Sequence, residues 1–123
     1  MKRLVQGLGI VALAVLAAAC SGGSGAPAPS AAAGDGIVVV AKDLKFSTDS
    51  ITAPADEAFQ ILLDNQESAP HNIAIRDAAG TVVYKGEVVS SAQVTNNVPA
   101  LAAATYEFFC EVHPDMKGTL TAS

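Results

Sequence analysis

Tryptophan is absent from this 123-residue chain, aromatic residues make up only 5% of it, and it has just two cysteines, two histidines and two methionines. A chain this short, with a front end of targeting character, has room for one small domain, which excludes a two-domain organisation. Two histidines are too few for an enzyme built on several histidine-rich metal centres. Basic residues are scarce as well: seven Lys and Arg face twelve Asp and Glu, for a formal net charge of −5. Lys2 and Arg3 fall in the leader, so the chain beyond Cys20 carries five basic residues against twelve acidic ones, a net of −7. That sign argues against nucleic acid as a partner and leaves no basic surface to attract anionic lipid. A basic protein partner is compatible with it. No stretch carries a sustained helical period with caps, and no internal repeat is present.

What is there begins with residues 1–19, which read as a signal peptide. Met1-Lys2-Arg3 is the positive region, Leu4 to Leu16 the apolar stretch, and Ala17-Ala18-Ala19 the small-residue approach to Cys20. The apolar run is shorter than the roughly 20 residues a transmembrane helix needs. A cysteine directly after small residues resembles the bacterial lipobox, which implies lipidation of Cys20 after cleavage, although the usual Leu three places before the cysteine is Ala17 here. Ordinary secretion with cleavage after Ala19 is the alternative, and a single-pass anchor a third. Residues 20–35 then supply Gly, Ser, Ala and Pro with little to bury, a flexible tether able to span roughly 20 Å. With Cys20 lipidated, Cys110 is the one cysteine of the remaining domain and no internal disulfide can form, so a lone thiol in an exported protein points to chemistry.

The folded domain is expected at 36–123. Short β-type runs fill it: Ile37–Ala41, Ile51–Thr52, Phe59–Leu63, Ile73–Ile75, Thr81–Tyr84, Gln93–Asn96, Thr105–Cys110 and Thr119–Thr121. About eight short strands at close spacing predict an all-β, antiparallel Greek-key sandwich or barrel. In the penultimate run Tyr106, Phe108 and Cys110 share one face and Glu107, Phe109 and Glu111 the other, so Cys110 enters the core side at the strand's end.

The loop Cys110-Glu111-Val112-His113-Pro114-Asp115-Met116 places a thiolate, an imidazole and a thioether at successive three-residue steps, so one tight turn can gather all three. His71, in the turn Ala69-Pro70-His71-Asn72, can supply a second imidazole from across the sandwich. A His2Cys set with a weak axial thioether is diagnostic of blue copper, because soft sulfur suits Cu(I) and imidazole accommodates Cu(II). Taken one at a time, a buried Cys is often inert, a loop His solvated and a Met core filler. Here the domain's cysteine, its methionine and one of two histidines stand in a single short loop. The expected ligands are His71, Cys110, His113 and Met116, holding one copper ion that carries single electrons.

These segments resemble the cupredoxin family, in its plastocyanin and amicyanin group. Asn65-Gln66-Glu67-Ser68-Ala69-Pro70-His71-Asn72-Ile73 is similar to the family's stretch around its first histidine ligand, and Tyr106-Glu107-Phe108-Phe109-Cys110-Glu111-Val112-His113 to its aromatic run into the cysteine. Pro114-Asp115-Met116-Lys117-Gly118 has the short spacing of the amicyanin loop. The resemblance implies that Asn72 hydrogen-bonds to the cysteine loop near Glu111 and braces it. Where such loops more often carry Thr, Pro and Phe, this chain has Glu111, Val112 and Asp115. Two carboxylates therefore flank His113 in sequence, which suits a partner with positive charge around its entry point, such as a basic cytochrome.

The reading is thus an exported, membrane-anchored, monomeric electron carrier between redox proteins, with no substrate of its own. A copper-binding or copper-delivery lipoprotein is the alternative, though delivery proteins tend to be richer in Met and His. Zinc rarely takes a thioether. A Cys-His hydrolase would need an oxyanion donor, and none is evident beside Cys110 and His113.

Overall fold

The computed structural model describes residues 36–123 as nine strands. They are β1 (Ile37–Lys42), β2 (Lys45–Phe46), β3 (Ser50–Ala53), β4 (Phe59–Asn65), β5 (Ala74–Arg76), β6 (Val82–Lys85), β7 (Gln93–Val98), β8 (Ala104–Phe109) and β9 (Lys117–Ala122). The leader and the tether expected at 1–19 and 20–35 lie outside the described residues. Two sheets face each other, one of four strands in the order β2-β1-β4-β7 and one of five in the order β3-β9-β8-β5-β6.

Alternation along each strand builds the layer between them. Val39 and Ala41 of β1, Phe59, Ile61 and Leu63 of β4, Tyr106 and Phe108 of β8, and Leu120 and Ala122 of β9 all turn inward and are buried, while their neighbours face water. With so few aromatics, β-branched and aliphatic side chains fill most of this layer, and Phe108 is the largest side chain wholly removed from solvent.

The all-β Greek-key sandwich matches the expectation, with two differences. The sheets are mixed rather than purely antiparallel: β1 pairs parallel with β4, and β3 parallel with β9. Alternation encodes which face of a strand is buried but not its direction. Because the chain leaves the first sheet for β3 and then returns, β4 re-enters beside β1 running the same way. The second difference is β2, whose two residues are too few to show a period. It forms because Asp43 and Leu44 both adopt positive φ, 53° and 57°, closing a two-residue hairpin in which Lys42 pairs with Lys45. Such turns favour Asn-Gly or Asp-Gly. A leucine in the left-handed region is strained, and its N–H is held by a bond of 3.0 Å to Glu67 Oε1.

Register brings the site together. Strand β5 runs antiparallel to β8 with Ala74 opposite Phe109, so the residues just before β5 meet those just after β8. Strand β9 pairs with β8 up to Phe109 opposite Lys117, and the Cys110 N–H then donates to the Met116 carbonyl at 2.9 Å, closing the loop.

That closure depends on Gly118. A Cβ there would stand 2.5 Å from the Phe108 ring and 2.6 Å from the Asp49 carbonyl oxygen. Gly118→Ala should therefore lower the stability of the metal-free protein by about 1–3 kcal/mol, the usual cost of overpacking a filled core. Urea denaturation checks this, and an unchanged midpoint would mean the backbone there yields freely.

Candidate metal centre

Two short segments, joined by no common turn, converge at one end of the sandwich. His71 lies just ahead of β5, where its N–H and carbonyl exchange bonds of 3.0 and 2.9 Å with Val89. Asn65, buried at the end of β4, donates to the carbonyls of Ala69 and Val89 at 2.7 and 2.8 Å and so fixes the turn that delivers the histidine. Cys110 follows β8 directly, continuing the inward face of Tyr106 and Phe108, and is a fully buried free thiol. His113 and Met116 come from the same loop, whose turn is closed by a Met116 N–H to His113 carbonyl bond of 2.9 Å.

The donors point at one another. Cys110 Sγ stands 3.7 Å from His71 Nδ1 and 4.0 Å from His113 Nδ1, and the three ligand atoms lie within 4.8 Å of each other. Donors each about 2.0–2.3 Å from one ion, arranged trigonally, stand roughly 3.5–4 Å apart, which both sulfur-to-nitrogen distances match. The two imidazole rings are tilted by 52° with centroids 4.8 Å apart, so they are not stacked in parallel. Met116, at the end of the same loop, is buried at 3% exposure. His113 is half-buried, and its outer edge joins Leu44, Val112, Pro114, Asp115 and Met116 around a shallow hollow open to solvent.

Each histidine nitrogen has a distinct task at His71. Its Nε2 lies 2.5 Å from Glu67 Oε1, so Nε2 carries the proton and donates it to the carboxylate, leaving the Nδ1 lone pair facing Sγ. The Glu67 carboxyl is held below the usual carboxylate range, first by this bond and then by the Leu44 N–H. Glu67 is itself anchored, its N–H donating to Asn65 Oδ1 at 3.0 Å and its carbonyl accepting from the Ser91 N–H at 2.9 Å. Sequence reasoning assigned Glu67 no role. The available signal was a carboxylate four residues before a candidate ligand, but only the loop's conformation tells whether it reaches back.

Asn72 joins the two segments. Its Oδ1 accepts from the Glu111 N–H at 2.9 Å, and its Nδ2 donates to Glu111 Oε2 at 2.8 Å. Of the two carboxylates that flank His113 in sequence, Glu111 is thereby turned away from solvent, and it also meets Lys85 Nζ at 3.1 Å. Asp115 is the exposed one. No buried side-chain nitrogen or oxygen among the described residues lacks a partner.

Comparison with known proteins agrees with this geometry. The cupredoxin-like domain family matches residues 9–122. Amicyanin of Paracoccus versutus is 32% identical over 88 residues, covering 68% of this chain, which spans 62% of that protein's length. Amicyanin-alpha of Methylorubrum extorquens is 33% identical over 102 residues, 82% of each chain. Among solved structures, Paracoccus versutus amicyanin aligns at TM-score 0.59 and 25% identity over 76% of this chain and 87% of its own. Auracyanin A, a blue copper protein of Chloroflexus aurantiacus, aligns at TM-score 0.62 and 18% identity over 71% and 97%, a likeness of fold. With two relatives above 30% identity and a family match across most of its length, this chain belongs to the cupredoxin-like domain family.

Proposed function

We propose that this protein is a type 1 copper protein that carries single electrons between redox partners, with copper held by His71, Cys110, His113 and Met116. The observation that carries the proposal is the convergence of a buried thiol and two imidazole nitrogens within 4.8 Å, at a loop that also buries Met116. Bound copper supplies the one-electron couple. The protein's own residues do the rest. Cys110 and Met116 offer soft sulfur that suits the reduced ion, and His71 and His113 offer nitrogen that suits the oxidised one. Glu67 and Asn72 hold His71 and the cysteine loop in place, so little has to move when the charge changes. The half-exposed edge of His113 is the shortest way out to a partner.

Chemistry of the donor set makes the reading testable by colour. Full-length protein given Cu(II) should show an intense thiolate charge-transfer band at about 600 nm, bleached by a mild reductant. Cys110→Ser should abolish it, while Met116→Gln should keep it and shift the reduction potential. Retention of the band without Cys110 would end the assignment.

For organisation, we propose residues 1–19 as a lipoprotein-type leader, Cys20 as the lipid attachment point, 20–35 as a tether and 36–123 as the copper domain, placing it outside the cytoplasm on a membrane. The sequence pattern before Cys20 supports this. Cys20→Ser should move the protein from the membrane to the soluble fraction and remove the acyl mass; wild-type protein that is soluble and begins at Cys20 without added mass would mean plain secretion.

As redox partner we propose a basic protein, such as a basic cytochrome, docking near His113. The acidic balance of the chain and exposed Asp115 support it, and Lys85 offsets Glu111. Electron-transfer rates with such a cytochrome should fall as salt is added; rates indifferent to salt would point to an apolar contact instead.

A further inference from the structure

The residue that follows Cys110 is charged, buried on one side and fully engaged. Glu111 Oε2 accepts from Asn72 Nδ2 at 2.8 Å, Glu111 Oε1 lies 3.1 Å from Lys85 Nζ, and the Glu111 N–H donates back to Asn72 Oδ1 at 2.9 Å. Asn72 is wholly buried, and its Nδ2 makes a further bond of 3.2 Å to the carbonyl of Gly86, the residue after Lys85. The carboxylate is thus pinned by a rigid amide on one side and matched by an ammonium on the other. The two charges differ in exposure, 28% for the Glu111 side chain and 66% for that of Lys85.

A neutral hydroxyl would suffice to hold Asn72, since one acceptor is all that its Nδ2 needs there. A carboxylate adds something a hydroxyl lacks, a unit of negative charge one residue from the thiolate. Charge fixed close to a redox centre changes the relative stability of its two oxidation states, because those states differ by one electron. We propose that Glu111 and Lys85 form a charge-matched pair that sets the electron affinity of the copper centre. The Glu111 carboxylate favours the oxidised ion, Lys85 opposes it, and Asn72 fixes the distance at which the carboxylate acts. The pair acts through charge alone; no bond to the metal is made or broken. The inference rests on the copper reading above. Being more exposed, Lys85 is better screened by water and salt, so its influence is the smaller of the two.

The test is the reduction potential of the copper-loaded full-length protein, set against an external mediator, for wild type, Glu111→Gln, Lys85→Gln and Lys85→Arg. Glu111→Gln keeps an acceptor for Asn72 and removes the charge. It should raise the potential, changing the Cu(I)-to-Cu(II) ratio at fixed driving potential by several-fold to tenfold, where tenfold corresponds to about 59 mV for one electron. Lys85→Gln should lower the potential by a smaller factor, and Lys85→Arg should return it to the wild-type value. A merely structural brace would move both Gln variants in the same direction, or neither, and that result would overturn the proposal. Lys85→Gln leaves the Asn72 bonds untouched, so it decides the matter even if Glu111→Gln fails to fold. Absence of the thiolate band in the wild type would overturn the copper reading instead, whereas an intact band with unresponsive potentials would overturn the charge pair alone.

Discussion

Everything at the metal end of this protein depends on the pair of hydrogen bonds between Asn72 and Glu111. The histidine and the cysteine proposed to share one ion belong to segments 39 residues apart in sequence, and neither segment is regular secondary structure. The sheet brings them near each other through the β5–β8 register, but a register fixes backbone, not side chains. Asn72 completes the task with its side-chain amide, whose Oδ1 accepts from the Glu111 N–H and whose Nδ2 donates to the Glu111 carboxylate. Buried amides left with unmade bonds are costly, so a folded chain in which Asn72 is satisfied is necessarily one in which the two segments are correctly aligned.

Glu67 plays the complementary part on the far side of His71. By accepting the Nε2 proton it turns the ring and chooses its tautomer before any metal arrives. The same carboxylate holds the N–H of Leu44 in its left-handed turn. The strained hairpin and the ligand orientation are therefore one construction: the turn brings Leu44 beside the hollow at His113, and the group that stabilises it also sets the imidazole. Ligand side chains fixed in this way would have little to rearrange in the proposed electron transfer.

How far this was legible in the sequence follows from what sequence encodes. Strands that span a two-faced layer announce themselves by alternation, so eight of the nine elements stand within a few residues of their expected positions. The ligand loop was legible because its three donor types are rare in this chain and crowded together. The two-residue strand β2 carries no period, and the Asp43-Leu44 turn lacks the glycine that usually marks such a hairpin. Parallel pairing was invisible because direction is decided by the chain's passage between sheets. The bond from Asn72 to the loop at Glu111 was implied by the family resemblance, but the partners of Glu67 and the pairing of Glu111 with Lys85 were unreadable for a further reason: both acids look like solvated loop residues, and only the fold shows that Leu44 and His71 meet the one and Lys85 the other.

An acidic chain has to manage its negative charge around the proposed metal site. Near the centre stand the Cys110 sulfur and the carboxylates of Glu67 and Glu111, and they are handled in three ways. In the proposed copper site the sulfur is the group offered to the metal. Glu67 is bonded to two N–H donors, one of them on His71, so its charge strengthens the imidazole as a donor. Glu111 alone has a cationic partner, and that partner stands on a different sheet strand, β6, beyond the ligand segments. Were Lys85 absent, the fold would be unaltered in its layers but the centre would carry one more uncompensated negative charge. The position of a single lysine at the end of an edge strand is thus a physical link between the sheet's boundary and the chemistry of the loop it borders.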